Sequence, residues 1–404
     1  MAMELLVALD HRFDRTPDGN IWSWFFNRAF WNRYLDVFDA VRVLARVRDV
    51  KSVSGIARQS NGDRVVFVPV PFYHGPWQYL LRRRAVYNAV RLAVCRDEAI
   101  LLRSGQVGNC LAKILDKVGH PYGLEVIGDP YDAFAPGANR RVLRPFFRWW
   151  YPRQIRRLCA KAAAVSYVTQ EALQYRYPAG PNTISRGFSD IELPEEWFAE
   201  NPRNIERAAR NFLTVGTMDQ PYKGHDVLLR ALAMSVSRGQ DLKVAVAGDG
   251  RYRPSLETLA RRLGVINRVQ FLGQVAAGQS IQERLDKADL FVLPSRTEGL
   301  PRALIEAMAR ALPCLASSVG GIPELLAGED LVPPGNVAAL ADKLCSVVGD
   351  VARLRIMSAR NLLKSREYRL DSLRGCRREF YGQLKSITQK WLDNDVMGDK
   401  DEYE

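Results

Sequence analysis

The chain has 404 residues, 47% of them hydrophobic and 25% charged, with a formal net charge of +13. That balance excludes a disordered chain and suits two ordinary domains, each with its own core. Six scattered cysteines and four unclustered histidines point away from a disulfide framework and a metal site, and toward reduced thiols in a cytoplasmic protein. In chain order, a first strand is expected over Glu4–Leu9, ending at Asp10. The loop His11–Asn20, with Pro17 and Gly19, leads into an aromatic helix, Ile21–Tyr34. Strands recur at Val37–Leu44, Arg64–Val70, Ala99–Leu102 and Gly123–Ile127, with helices over Gly75–Val94 and Val107–Val118. Ala163–Val168 and Thr183–Ser185 close the set. This strand–helix rhythm predicts a parallel sheet covered on both faces.

Acidic, proline-containing sequence breaks the rhythm between Asp190 and Arg210. A second alternation follows. Its strands are Phe212–Val215, Lys243–Ala247, Arg268–Leu272, Leu290–Leu293 and Pro313–Ala316. Its helices are Gly224–Met234, Pro254–Leu263, Ile281–Asp286, Leu300–Ala311, Gly321–Leu326 and a run from Val337. The expected fold class is α/β: two doubly wound, Rossmann-like parallel-sheet domains facing a cleft, with the loops at the carboxyl ends of both sheets turned toward it. The expected layout is a first, acceptor-binding domain over 1–190, a linker over 191–210 and a second domain over 211–365. A C-terminal helix within 366–395 is expected to pack back on the first domain, followed by a disordered acidic tail, 396–404. Lysine and arginine outnumber acids by 28 to 16 in residues 1–190 but only by 30 to 29 in 191–404, so the domains should face different partners. No apolar run is long enough to span a bilayer, and the start MAMELLVALDHRF lacks the pattern of a signal peptide.

The run FVLPSRTEGLPRALIEAM, Phe291 to Met308, joins a strand, a polar loop and a helix start. Such a junction presents backbone N–H groups to a phosphate. It holds two carboxylates, Glu298 in the loop and Glu306 on the helix. Standing alone, Glu306 reads as the usual solvated glutamate of a helix face. Around it lie further strand-end loops: Gly216 followed by Lys223 and Gly224, then Gly248 and Gly250, then Gly273, then Gly320 and Gly321. One such glycine loop is an ordinary turn. Several in register on one sheet edge, together with the two-glutamate segment, are hard to dismiss as turns.

Residues Phe212 to Val348 closely resemble the nucleotide-sugar-binding domain of the retaining glycosyltransferases of family 4, which have the GT-B fold. Gly216 with Lys223-Gly224, AGDG from Ala247, FLG from Phe271, PSRTEGLP from Pro294, EAM from Glu306 and VGGIPE from Val319 carry the resemblance. It implies an enzyme that moves a sugar, with retention, from a nucleotide-sugar donor to a glycan or lipid-linked acceptor, with surface polysaccharide as the expected product. It implies no cofactor and no metal. Lys223 would contact the donor diphosphate and Glu298 the hydroxyls of the donor sugar. The N–H groups of Gly299 and Leu300 would lie near the phosphates, Glu306 on the ribose, and Phe271 to Gly273 beside the base. Gly216, Thr217, Gly248 and Gly250 complete the donor-binding set. A basic site can stabilise a departing diphosphate, and a carboxylate a positive sugar ring.

The chain departs from the family pattern twice. An arginine commonly follows the first glycine, but Thr217 stands here; Arg296 and Arg251 are the candidates for the missing charge. A first-domain histidine is common, but this chain reads EVIGDPYDAF, which makes Asp129 the catalytic candidate, with a helix or turn cap as its alternative. Acceptor-side candidates are Gly19, Trp22 (with Trp24 and Trp31), His74, and Arg103 in RSGQVGN. Between Ala133 and Gln170 there is no acidic residue, while eight cations alternate with aromatics, as in Arg148-Trp149-Trp150-Tyr151. Residues 140–161 suit peripheral contact with an anionic membrane, on the inner face of a cytoplasmic location. A solvated basic helix is the plainer reading, and nucleic acid, which such stripes also bind, is not the expected partner. A phosphorylase, a sugar-nucleotide epimerase and a basic binding module are the competing functions.

Overall fold

A computed structural model describes residues 2–53, 55, 57–103, 105–135, 143–276 and 278–401. In the first, nine-stranded sheet the parallel strands lie in the order Val65–Val70, Val41–Asp49, Leu5–Arg15, Ala99–Arg103, Gly123–Val126, Ala164–Tyr167, Ile184–Gly187. The second sheet has six parallel strands, ordered Val269–Gly273, Lys243–Ala247, Asn211–Val215, Leu290–Leu293, Cys314–Ser317, Leu331–Val332. Strands such as Leu290–Leu293 and Cys314–Ser317 are buried along their whole length, as parallel strands covered on both faces must be.

Both sheets wind outward from their first strand and then restart on its other side. The reversal falls between Asn211–Val215 and Leu290–Leu293 in the second sheet, and between Leu5–Arg15 and Ala99–Arg103 in the first. Connections leave such neighbours toward opposite faces, so a crevice opens at their carboxyl ends. The two edges meet directly. Gly299 lies against the Ile127 carbonyl and Gly128, where a Cβ would not fit. Glu324 reaches from the second sheet to cap the helix Ala172–Arg176 of the first, accepting from the N–H groups of Gln170 (2.6 Å), Glu171 (3.1 Å) and Ala172 (2.8 Å).

The helix Leu370–Asp401 returns to the first sheet. Arg374 pairs with Asp36 (2.6 Å), Lys385 donates to the Val37 carbonyl (3.0 Å), and Phe380, Tyr381 and Leu384 are fully buried. The helix runs past the expected start of a disordered tail, as far as Asp401; residues 402–404 lie outside the described residues.

Two further expectations fail, both near the N-terminus. No loop begins at His11, because the first strand passes through a register shift between Ala8 and Arg12 and continues to Arg15. The expected helix Ile21–Tyr34 is instead a short strand, Ile21–Ser23, then the one-turn helices Arg28–Trp31 and Asn32–Leu35. Side chains compete with the helix here. The Ser23 hydroxyl accepts from the N–H groups of Phe25 and Phe26 (both 3.2 Å), and Asn27 caps Phe30 (3.0 Å).

Candidate active site

Lys223 and Glu298 come from the two loops that flank the reversal in the second sheet. They meet: Lys223 Nζ is 2.7 Å from Glu298 Oε1, which also accepts from Ser295 Oγ at 2.6 Å. Burial pulls the Lys223 ammonium pKa down, but Glu298 and Tyr222 together offset it and leave it above its ordinary value; Arg302 opposes. The two loops are stitched together. Arg296 N–H donates to the Tyr222 carbonyl (2.6 Å), and its guanidinium forks onto Asp226 (2.7 and 2.8 Å) and reaches the Pro221 carbonyl (2.8 Å). Arg296 is therefore committed to holding the loops together and cannot supply the charge missing at Thr217.

Gly216, Thr217, Gly248, Gly250, Phe271 and Gly273 lie along the same carboxyl edge. Gly248 has φ of +138° and touches the Gly216 carbonyl, a conformation and an approach that a side chain would forbid. Thr217 closes a small turn, its hydroxyl 3.2 Å from Asp219 Oδ2. Arg251 donates to the Asp219 carbonyl (2.7 Å).

Beyond Glu298, the N–H groups of Gly299 and Leu300 have no acceptor among the described residues. The helix Arg302–Ala309 starts there without a side-chain cap. Its Glu306 also lacks a hydrogen-bond or ion-pair partner among the described residues, and burial pushes its carboxyl above the ordinary range, with Arg302 acting against it. A half-buried, unpaired carboxylate is costly unless a ligand donates to it. So the edge offers a cation, free N–H donors and an unpaired carboxylate in sequence, which together match a diphosphate followed by a hydroxylated ring.

On the facing sheet the candidates separate. Asp129 is a cap: its Oδ1 accepts from Tyr131 N–H (2.8 Å) and Tyr177 OH (2.5 Å), and Arg176 pairs with Oδ2. Both of its oxygens are engaged by protein groups, which favours the capping alternative over catalysis. Arg103 is no acceptor contact either. It is 2% exposed, pairs with Glu125 and Asp190 (both 2.7 Å) and donates to Tyr34 OH (2.8 Å). A guanidinium ending a buried strand finds partners inward. Gly19 sits exposed in the turn Thr16–Asn20, and Trp22 is half-buried on the short strand, its Nε1 donating to Thr16 Oγ1 (2.9 Å). Trp31 is fully buried, whereas Trp24 is exposed. His74 begins the helix Gly75–Ala93, with Nδ1 2.9 Å from Arg12.

Sequence reasoning passed over the residues at the first sheet's own reversal. There Asp10 binds Tyr73 OH (2.8 Å), Arg46 Nε (2.9 Å) and Gln106 N–H (3.2 Å). The expected end of a strand at Asp10 was the available signal. Arg302 was also passed over. It opens the helix after the Glu298 loop, is exposed, and has no partner among the described residues.

Comparison with known proteins finds matches to the second domain and to the fold. Residues 209–350 match the family described as Glycosyl transferases group 1. Protein CapJ of Staphylococcus aureus is 28% identical over 342 residues, covering 84% of each chain. Sucrose-phosphate synthase of Thermosynechococcus elongatus has a similar structure, with a TM-score of 0.70 at 17% identity over 95% of this chain and 100% of that one. HepE of Anabaena, solved in complex with UDP-glucose, has a TM-score of 0.64 at 18% identity over 93% of this chain and 98% of that one. The chain thus carries a glycosyl transferases group 1 domain on a GT-B fold.

Proposed function

We propose that the protein is a retaining glycosyltransferase of family 4 that moves a sugar from a nucleoside-diphosphate donor to a glycan or lipid-linked acceptor in the assembly of a surface polysaccharide. The observation that carries this reading is the Lys223–Glu298 pair at the switch point of the second sheet, 2.7 Å apart beside two N–H groups without an acceptor among the described residues. An arriving diphosphate takes Lys223 away from Glu298. The freed carboxylate then faces the donor sugar, accepts from its hydroxyls and stabilises the positive charge that develops at the anomeric carbon. Lys223 and the N–H groups of Gly299 and Leu300 hold the departing diphosphate, so this reading needs no metal. Glu306 takes the ribose hydroxyls. Slow hydrolysis of UDP- and GDP-sugars, followed by proton NMR, tests the stereochemistry without an acceptor. The first free sugar should keep the donor's anomeric configuration; an inverted first product would contradict retention.

The acceptor side includes peripheral contact with an anionic membrane, and its contact face is narrower than residues 140–161. Arg140 and Arg141 lie outside the described residues. In the helix Arg144–Lys161, Arg157 and Lys161 pair with Asp116, and Arg156 donates to the Arg176 carbonyl (2.9 Å). Phe146 and Trp149 stay 51% and 53% exposed, and on the helix Gly75–Ala93 Trp77 and Leu81 are 71% and 86% exposed beside Arg82, Arg83 and Arg84. Arg82 is bound to the Phe72 carbonyl, and apolar anchors beside Arg83 and Arg84 suit a lipid surface. No helix among the described residues is long and apolar enough to cross a membrane. The protein should co-sediment with phosphatidylglycerol vesicles and not with phosphatidylcholine ones, and Trp77→Asp with Leu81→Asp should abolish this. Equal recovery with both lipids, or no effect of the double substitution, would remove the membrane face.

A further inference from the structure

The donor-site reading leaves one cation without a task, while the loop expected to carry a second cation carries Thr217. Its neighbours do not fill the place. Arg296 is forked onto Asp226, Arg253 is shared between Asp249 (3.1 Å) and Glu257 (2.9 Å), and Arg251 is bound to the Asp219 carbonyl. A diphosphate carries more negative charge than Lys223 alone can balance, and Lys223 is itself paired with Glu298.

Arg302 is placed differently from all of these. It is the first residue of the helix Arg302–Ala309, four positions before Glu306, and its charge bears on both Lys223 and Glu306. Its charge favours the ionised Glu306 one turn on, without forming an ion pair with it. A cation in the first turn opposes the helix dipole. Arg302 opposes the charge of Lys223, and it has no ion-pair or hydrogen-bond partner among the described residues. The positive end of its own helix adds to that repulsion, which an anion would relieve.

We propose that Arg302 is the second cation of the donor site, gripping the sugar-side phosphate and standing in for the arginine that the resemblance leads one to expect at position 217. This rests on the donor-site reading above. A guanidinium offers two parallel N–H donors to a phosphate, a geometry that Lys223 cannot supply. The nucleotide-side phosphate is left to Lys223 and the free N–H groups.

The test is calorimetric titration of UDP, GDP and their monophosphates into the full chain and its variants. Arg302→Ala should weaken the preferred diphosphate by about 10–100-fold, the loss expected for a charged hydrogen-bonded contact. The monophosphate should weaken far less. The melting temperature should hold or rise slightly, because an unfavourable charge has been removed from the helix start. Adding Thr217→Arg to Arg302→Ala should restore part of the lost affinity. The Arg302 role alone is overturned if Arg302→Ala binds the diphosphate like the unaltered protein while Lys223→Ala loses it. It is overturned equally if mono- and diphosphate weaken by the same factor, or if Thr217→Arg restores nothing. If the unaltered protein binds neither diphosphate, the donor-site reading itself falls, and this assignment with it.

Discussion

Lys223→Ala should lower kcat/KM for sugar transfer by about 10²–10³-fold, the usual loss when one preorganised charge donor is removed from a reacting oxyanion. The lysine has a structural task as well, since its Nζ is the counter-ion of Glu298 at 2.7 Å. Removing it leaves a buried carboxylate held only by Ser295 (2.6 Å), so the melting temperature should fall too. The double variant Lys223→Ala with Glu298→Gln separates these effects. It removes both charges, so thermal stability should return toward that of the unaltered protein while transfer stays lost. Recovery of transfer together with stability would mean that the pair only supports the fold. Steady-state kinetics and thermal melts on the three proteins decide between the two.

Arg103→Met should destabilise the fold by about 3–5 kcal/mol, the cost of removing one partner from a buried ion pair. Arg103 joins Glu125 on the next strand to Asp190, where the chain leaves the first sheet. Asp190 is also held by Arg33 (2.5 Å), and Arg377 of the C-terminal helix donates to the Ser189 and Ile191 carbonyls (both 2.8 Å). Tyr381 of the same helix donates to Glu125 at 2.6 Å. The network ties together the sheet, the connection to the second domain and the C-terminal helix. Burial pushes the Asp190 carboxyl up, but Arg103 and Arg33 together hold it well below the ordinary range. Its contribution is therefore complete above the unfolded-state carboxylate pKa and lost only as the pH falls through the lowered folded value. Denaturant unfolding at neutral pH should show the loss in Arg103→Met. An unchanged midpoint would contradict this structural role.

Legibility in the sequence followed range. Buried parallel strands announce themselves locally, and Leu290–Leu293 and Cys314–Ser317 stand in the structure close to where apolar runs placed them. The aromatic stretch after Asn20 misled because hydrophobic spacing says nothing of Ser23 and Asn27 taking the backbone N–H groups that a helix needs. Arg103 misled because its partner Asp190 is 87 residues away, and sequence spacing does not show which charges a fold brings together. Asp129 had a cap as its alternative from the start, and the deciding residues, Arg176 and Tyr177, come from another helix and its end. The donor edge was the most legible part, since glycines and carboxylates at strand ends are local signals. Missing from it were the commitment of Arg296 to Asp226 and the free state of Arg302, both of which depend on partners.

The donor site itself is tested most directly by thermal shift against a panel of nucleoside mono- and diphosphates. One diphosphate should raise the melting temperature by a few degrees at about 100 times its Kd, equivalent to roughly 2.7 kcal/mol of binding linkage. The same ligand should leave the double variant Lys223→Ala with Glu298→Gln unmoved. The account is contradicted if no diphosphate stabilises the unaltered protein, or if that double variant is stabilised as strongly.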